Sequence, residues 1–147
     1  MRWTPHATVA TIVEDNGRFL LVEEHAGDRL VWNQPAGHLE EDERFIDAAR
    51  RETLEETGWR VEPEHLLGFY VYKAPSNGVT YHRACFIARA LERDPRRELD
   101  DGIIRALWLT RDEVAANPDR LRSELVLKCI DDYLAGVRYP LSLIHEP

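Results

Sequence analysis

Residues 37–59 read Gly37-His38-Leu39-Glu40-Glu41-Asp42-Glu43-Arg44-Phe45-Ile46-Asp47-Ala48-Ala49-Arg50-Arg51-Glu52-Thr53-Leu54-Glu55-Glu56-Thr57-Gly58-Trp59. From about Glu43 to Thr57 the pattern predicts a helix. Asp42 is placed to cap it, Glu40, Glu41 and Glu43 suit the positive end of its dipole, and Gly58 can stop it. At about 100° per residue, Glu52, Glu55 and Glu56 fall within about a 100° arc of one face. Like charges at this spacing destabilise a helix by about 0.2–0.5 kcal/mol per pair. A solvated helix gains nothing from that arrangement, whereas a hard cation that takes oxygen ligands would relieve it. A Glu-x-x-Glu-Glu fragment alone is more often a solvated face, so the flanking residues decide the reading.

On the N-terminal side, His6 to Glu14 is rich in β-branched residues and predicts a strand. Asp15-Asn16-Gly17 follows, with the Asn-Gly pair of a tight hairpin, and Arg18 to Glu24 returns as a second strand. His25 to Leu30 reads as a polar loop, and Val31 to His38 as a short extended segment around Trp32 and Pro35. On the C-terminal side, Val61 to Lys73 and Val79 to Leu91 predict strands joined by the turn Ala74-Pro75-Ser76-Asn77-Gly78. Ile103 to Leu109 is one more strand. Thr110 caps a short helix ending by Asn117-Pro118, and Ser123 opens a last helix that runs to Ala135, with Gly136 as its stop. Strands outnumber helices, which predicts an α/β fold with helices packed on a mixed sheet.

The chain has 147 residues and no repeat or linker, so a single domain over 1–147 is expected. Its net charge of −8 argues against non-specific nucleic-acid binding, which needs a basic surface. Phosphates remain accessible to such a protein if a divalent cation stands between its carboxylates and theirs. Cys85 and Cys129 both lie in apolar segments and make no disulfide framework; buried, inert thiols are expected. No targeting or membrane-spanning segment is legible, so no membrane partner and a cytoplasmic location are expected.

The string Gly37, Glu43, Arg51-Glu52, Glu55-Glu56, Gly58 resembles the signature box of the Nudix hydrolase family at every fixed position. Seven identities at roughly 5% each coincide by chance about once in 10⁹ registers, relaxed by about tenfold to a hundredfold in a Glu-rich chain. Two softer positions depart: Thr53 stands where an aliphatic residue is usual, and Trp59 is bulkier than most.

The resemblance implies an α/β/α sandwich with a mixed sheet. It implies Mg²⁺ (with Mn²⁺ as a substitute) held by Glu52, Glu55 and Glu56, with the Ala36 carbonyl as a further ligand. Glu52 would be the catalytic base, with a loop carboxylate from Glu98, Asp100 or Asp101 as the alternative. Arg51 would keep a carboxylate oriented and ionised, Glu43 would steady the loop–helix geometry, and Gly37 would permit close approach of the loop to the helix. The implied reaction is hydrolysis of a small-molecule phosphoanhydride by metal-activated water.

The segments His6–Ala10, Trp32–Glu40 and Gly136–Leu141 are similar to one bacterial phosphatase branch of the family, which carries Pro-Ala-Gly where many members have Pro-Gly-Gly. That branch releases phosphate from nucleoside tri- and diphosphates, thiamine diphosphate and hydroxymethylpyrimidine diphosphate. For such substrates Trp32 could stack on a heterocycle, and Arg29 and Arg83 could reach phosphates; a core aromatic and surface salt bridges are the plainer readings. The Arg138-Tyr139-Pro140 tail could either cover the pocket or pack on the fold. Pro75 lies 16 residues past Trp59, near where ADP-ribose pyrophosphatases of the family carry a proline, but its turn needs a proline anyway. Pyrophosphohydrolysis of ADP-ribose or nucleoside triphosphates is the first alternative, and a non-catalytic nucleotide-sensing domain the second. Monomer and homodimer are both compatible with the sequence.

Overall fold

The protein is described here by a computed structural model of residues 1–147. Strand β1 (His6–Asp15) turns through Asn16 and Gly17 into β2 (Arg18–Ala26), and both turn residues have positive φ, 52° and 78°. That conformation matches the twist of a two-residue hairpin. The two strands pair only at Glu14↔Phe19 and Asp15↔Arg18, then splay apart. β1 goes on between β4 (Ala36–His38), antiparallel, and β6 (Thr80–Arg93), parallel; β5 (Trp59–Lys73) closes that side antiparallel to β6. β2 goes on between β3 (Arg29–Asn33) and β7 (Ile103–Thr110), both antiparallel. The single parallel pair makes the sheet mixed, and the splay opens a wedge between its halves.

Residues Thr8 to Val13 of β1 are all buried, because helices cover both faces. Val9, Ala84 and Phe86 face α1 (Phe45–Thr57) through Ala48 and Ala49. Ala10, Ile12 and Cys85 face the opposite way, onto Val126, Cys129 and Ile130 of α3 (Leu125–Leu134) and Val114 of α2 (Arg111–Ala115). The result is an α/β fold in which the sheet lies between α1 on one face and α2 and α3 on the other. Both cysteines are buried and unbridged.

Two local expectations are corrected. His25 to Leu30 is not a loop: β2 runs to Ala26, β3 starts at Arg29, and Gly27, at φ 65°, turns the chain between them. β3 lies at the edge, so Arg29 and Leu30 are exposed and look like loop residues in sequence. Asp42 does not cap α1; it sits at φ 63°, and the helix starts at Phe45 after Arg44, whose side chain makes no cap. Instead Glu146 accepts from the amide of Phe45 at 2.6 Å, while its second oxygen lies 3.5 Å from that of Ile46. The tail therefore packs on the fold: Tyr139 exchanges backbone hydrogen bonds with Leu66 at 2.8 and 2.9 Å, and Leu141 and Ile144 pack beside α1. Thr110 does cap α2, in a reciprocal box with Glu113, and Gly58 ends α1 at φ 77°.

Candidate active site

The carboxylates of α1 meet the sheet at β4, its edge strand. Gly37 lies so close to Glu52 that a Cβ there would overlap the Glu52 carboxyl group. One residue earlier, the Ala36 amide donates to Glu56 Oε1 at 2.9 Å. Glu52, Glu55 and Asp100 each present a carboxylate oxygen within 4.8 Å of the others. Asp100 is brought there by its own backbone, whose amide donates to the Glu55 carbonyl at 3.1 Å. Of the acidic loop singled out in sequence, Asp100 is the residue that joins this cluster.

Arg51 is the hub that holds the anions apart and in place. Its Nε and Nη2 donate to both oxygens of Glu43 at 2.7 and 2.9 Å, a bidentate pair. Nη1 donates to Glu52 at 2.9 Å and Glu55 at 3.1 Å, and Nη2 also reaches the His38 carbonyl at 3.0 Å. The Arg51 bond holds the Glu43 carboxyl below the usual carboxylate range, and the pairing with Glu43 raises Arg51 in turn. Glu43 thus anchors Arg51, which ties the β4 loop to the helix.

Burial acts oppositely on the other two carboxylates. Desolvation raises Glu52 despite its bonds to Arg51, and pushes Glu56 up to about 8, with Glu24, Glu52 and Asp100 adding repulsion. A buried carboxylate group that is costly to ionise, next to three more acids within ligand distance of one another, suits a divalent cation that accepts oxygen donors. The donor set fits such an ion: Glu52, Glu55, Glu56 and Asp100 could hold it, and Ala36 lies against Glu56. The hydroxyl of Thr53, the polar residue at an aliphatic box position, is fully satisfied by Thr11 Oγ1 and the Ala49 carbonyl, both at 2.8 Å. Trp59 packs edge-on against Trp108, with ring centres 5.5 Å apart.

From β4 a cleft of about 300 Å³ runs across the α3 face of the sheet. Its lining includes Ala36, Gly37, His38, Glu24, Asn33 and Arg83, with Tyr72 and Tyr81 from the β5–β6 hairpin and Arg122 and Ser123 before α3. Of the three residues read in sequence as substrate contacts, Arg83 lines this cleft. Trp32 does not: it is buried in the core, donates to Glu23 at 3.1 Å, and carries Arg120 over its ring. Arg29 also lies elsewhere, donating to the Asp119 carbonyl at 2.7 Å. Glu24 and Arg122 were missed, since no motif marks them and they meet only through folding, at 2.9 Å across 98 residues.

A family model described as the NUDIX domain matches residues 3–128. Phosphatase NudJ of Escherichia coli (strain K12) is 39% identical over 142 residues, covering 97% of this chain and 92% of that protein. A solved NUDIX hydrolase from Nitrosomonas europaea is 46% identical and superposes with a TM-score of 0.95 over 98% of each chain. A MutT NUDIX hydrolase from Burkholderia pseudomallei, 22% identical, shares the fold at a TM-score of 0.72, covering 88% of this chain and 98% of that one. With the signature box folded into a carboxylate cluster and these similarities spanning most of the sequence, the chain belongs to the Nudix hydrolase family.

Proposed function

We propose that this protein is a Mg²⁺-dependent phosphatase that releases orthophosphate from nucleoside tri- and diphosphates and from thiamine or hydroxymethylpyrimidine diphosphate. The observation that carries this reading is the convergence of Glu52, Glu55 and Asp100 within 4.8 Å, beside buried Glu56 and against Ala36 and Gly37, which also line the cleft that holds Arg83. The similarity to a protein named Phosphatase NudJ supports release of phosphate, and the choice of substrates rests on the resemblance of His6–Ala10, Trp32–Glu40 and Gly136–Leu141 to that phosphatase branch. Glu52, Glu55 and Glu56, with Asp100 and the Ala36 carbonyl, would hold the cation. When bound, Mg²⁺ supplies a water of lowered pKa and offsets charge on the anhydride oxygens.

The protein's own groups do the rest. Glu52 accepts the proton of the attacking water, and the Arg51 bond at 2.9 Å holds its carboxylate in place for that transfer. Arg51 holds Glu52 and Glu55 in position and itself stays fixed by Glu43. Arg83 binds phosphate in the cleft. The test is phosphate release from GTP, GDP, thiamine diphosphate and ADP-ribose, with Mg²⁺ and with chelator. Metal-dependent orthophosphate from GDP and thiamine diphosphate is the expected result. Pyrophosphate from GTP, or AMP from ADP-ribose, would replace the phosphatase reading with a pyrophosphohydrolase, and nucleotide binding without turnover would indicate a sensing domain.

A further inference from the structure

Arg83 is 6% exposed, yet it has no carboxylate partner. Every other contact of its guanidinium aside, the one hydrogen bond it makes is a long one, 3.4 Å to Asn33 Oδ1. A buried guanidinium with five donors and no counter-anion is costly unless an anion completes it. Thr8 pairs with both His38 and Arg83, so the three form one row across β4, β1 and β6, and all three line the cleft. Two strand spacings, about 10 Å of backbone, separate Arg83 from the strand against which the α1 carboxylates lie.

Two further features converge on the same space. Arg122 lines it and is held at 2.9 Å by Glu24, which also receives Asn33 Nδ2 at 3.5 Å. Ser123 and Leu125 line it too, so the first turn of α3, a ten-residue helix, opens there. That end carries partial positive charge, although Ser123 already accepts there, through Oγ from the Leu125 amide at 3.2 Å and through its carbonyl from the Val126 amide at 3.3 Å, so the helix contributes its dipole and the arginines the donors. No capping side chain comes from its N-cap, Glu124.

We infer that Arg83, Arg122 and the first turn of α3 form a seat for a second phosphoryl group of the substrate, one that binds without the metal. This deepens the phosphatase reading and rests on it: the phosphoryl group under attack lies at the carboxylates, and the seat takes the one that remains with the organic group. A diphosphate is then the shortest good substrate, and an organic monophosphate, with nothing for the seat, is a poor one.

The probe is methylenediphosphonate, which cannot be hydrolysed, with binding measured by calorimetry in chelator. Wild-type protein should bind it, and Arg83→Gln should weaken binding about tenfold to a hundredfold, the loss of a charge-assisted pair. Arg122→Gln, at a partly exposed position, should weaken it several-fold while leaving melting temperature unchanged, which covers the case that Arg83→Gln fails to fold. Glu55→Gln should bind it as wild type does in chelator. Binding that requires Mg²⁺, or that ignores both arginine substitutions, overturns the seat while leaving the hydrolase reading intact. Binding in chelator with no turnover of any phosphoanhydride in Mg²⁺ would instead overturn the hydrolase reading and keep the seat.

Discussion

Glu56→Gln is the substitution whose consequences follow most directly from burial. Glu56 is 9% exposed, and desolvation lifts its carboxyl from an ordinary 4.5 to about 8. A carboxyl raised in the folded state binds its proton more tightly there than in the unfolded chain. Without metal, its stabilising protonated form is therefore fully present below about 4.5, and the advantage is lost as pH rises toward about 8. At pH 7 the forfeited stability is about 3 kcal/mol, and at pH 8 about 4. Glutamine keeps an oxygen to accept the Ala36 amide but cannot ionise. In chelator, Glu56→Gln should thus match the wild type near pH 4.5 and melt about 10 °C higher at pH 8, since about 1 kcal/mol moves a chain of this size by about 2–4 °C. Saturating Mg²⁺ should stabilise the wild type strongly at pH 8 and the variant much less, because the wild type gains a charged ligand. Differential scanning calorimetry at both pH values, with Mg²⁺ and chelator, reads all four arms. A difference in melting temperature that does not change with pH, or a variant that melts lower at pH 8 in chelator, would refute the argument from desolvation.

Other substitutions separate roles within the site. Arg51→Gln removes the donors that hold Glu43, Glu52 and Glu55, and should lower kcat at least about a hundredfold, with about 3 kcal/mol lost in urea unfolding. Gly37→Ala places a methyl group on the Glu52 carboxyl, so phosphate release should fall steeply while the circular dichroism spectrum stays native. Trp32→Phe should cost about 1–2 kcal/mol through the lost bond to Glu23, yet leave KM within about twofold, because the ring faces the core. Glu146→Ala should lower stability by about 0.5–2 kcal/mol by uncapping α1, read as a shifted urea midpoint with an unchanged slope.

What was legible in the sequence was what is local. Asn16-Gly17 named its own turn, Thr110 and Glu113 their own cap, and the box glutamates Glu52, Glu55 and Glu56 lie on one helix where spacing alone fixes their shared face. What was not legible depends on contacts between distant segments. The cap of α1 comes from Glu146, 101 residues from the amide it meets, so a local acid such as Asp42 was the only candidate visible in sequence. Trp32 sits beside the metal loop in sequence, but strand alternation and its bond to Glu23 turn it inward. Asp100 was one of three acids in a polar loop, and the bond from its backbone to Glu55 is what selects it. Arg83 was legible only as an arginine able to reach a phosphate, with a surface salt bridge as the plainer reading, and its lack of a counter-anion is visible only once its neighbours are in place.

The central claim is that the α1 carboxylates act through a divalent cation to hydrolyse a phosphoanhydride. Its most direct test is a Mg²⁺ titration of phosphate release from GDP and thiamine diphosphate, run side by side on wild type and Glu56→Gln. The account predicts no wild-type turnover in chelator, saturable activation by Mg²⁺, and a loss of about two or more orders of magnitude in the variant. Wild-type activity that survives chelator, or a Glu56→Gln enzyme with near-normal activity, would contradict it.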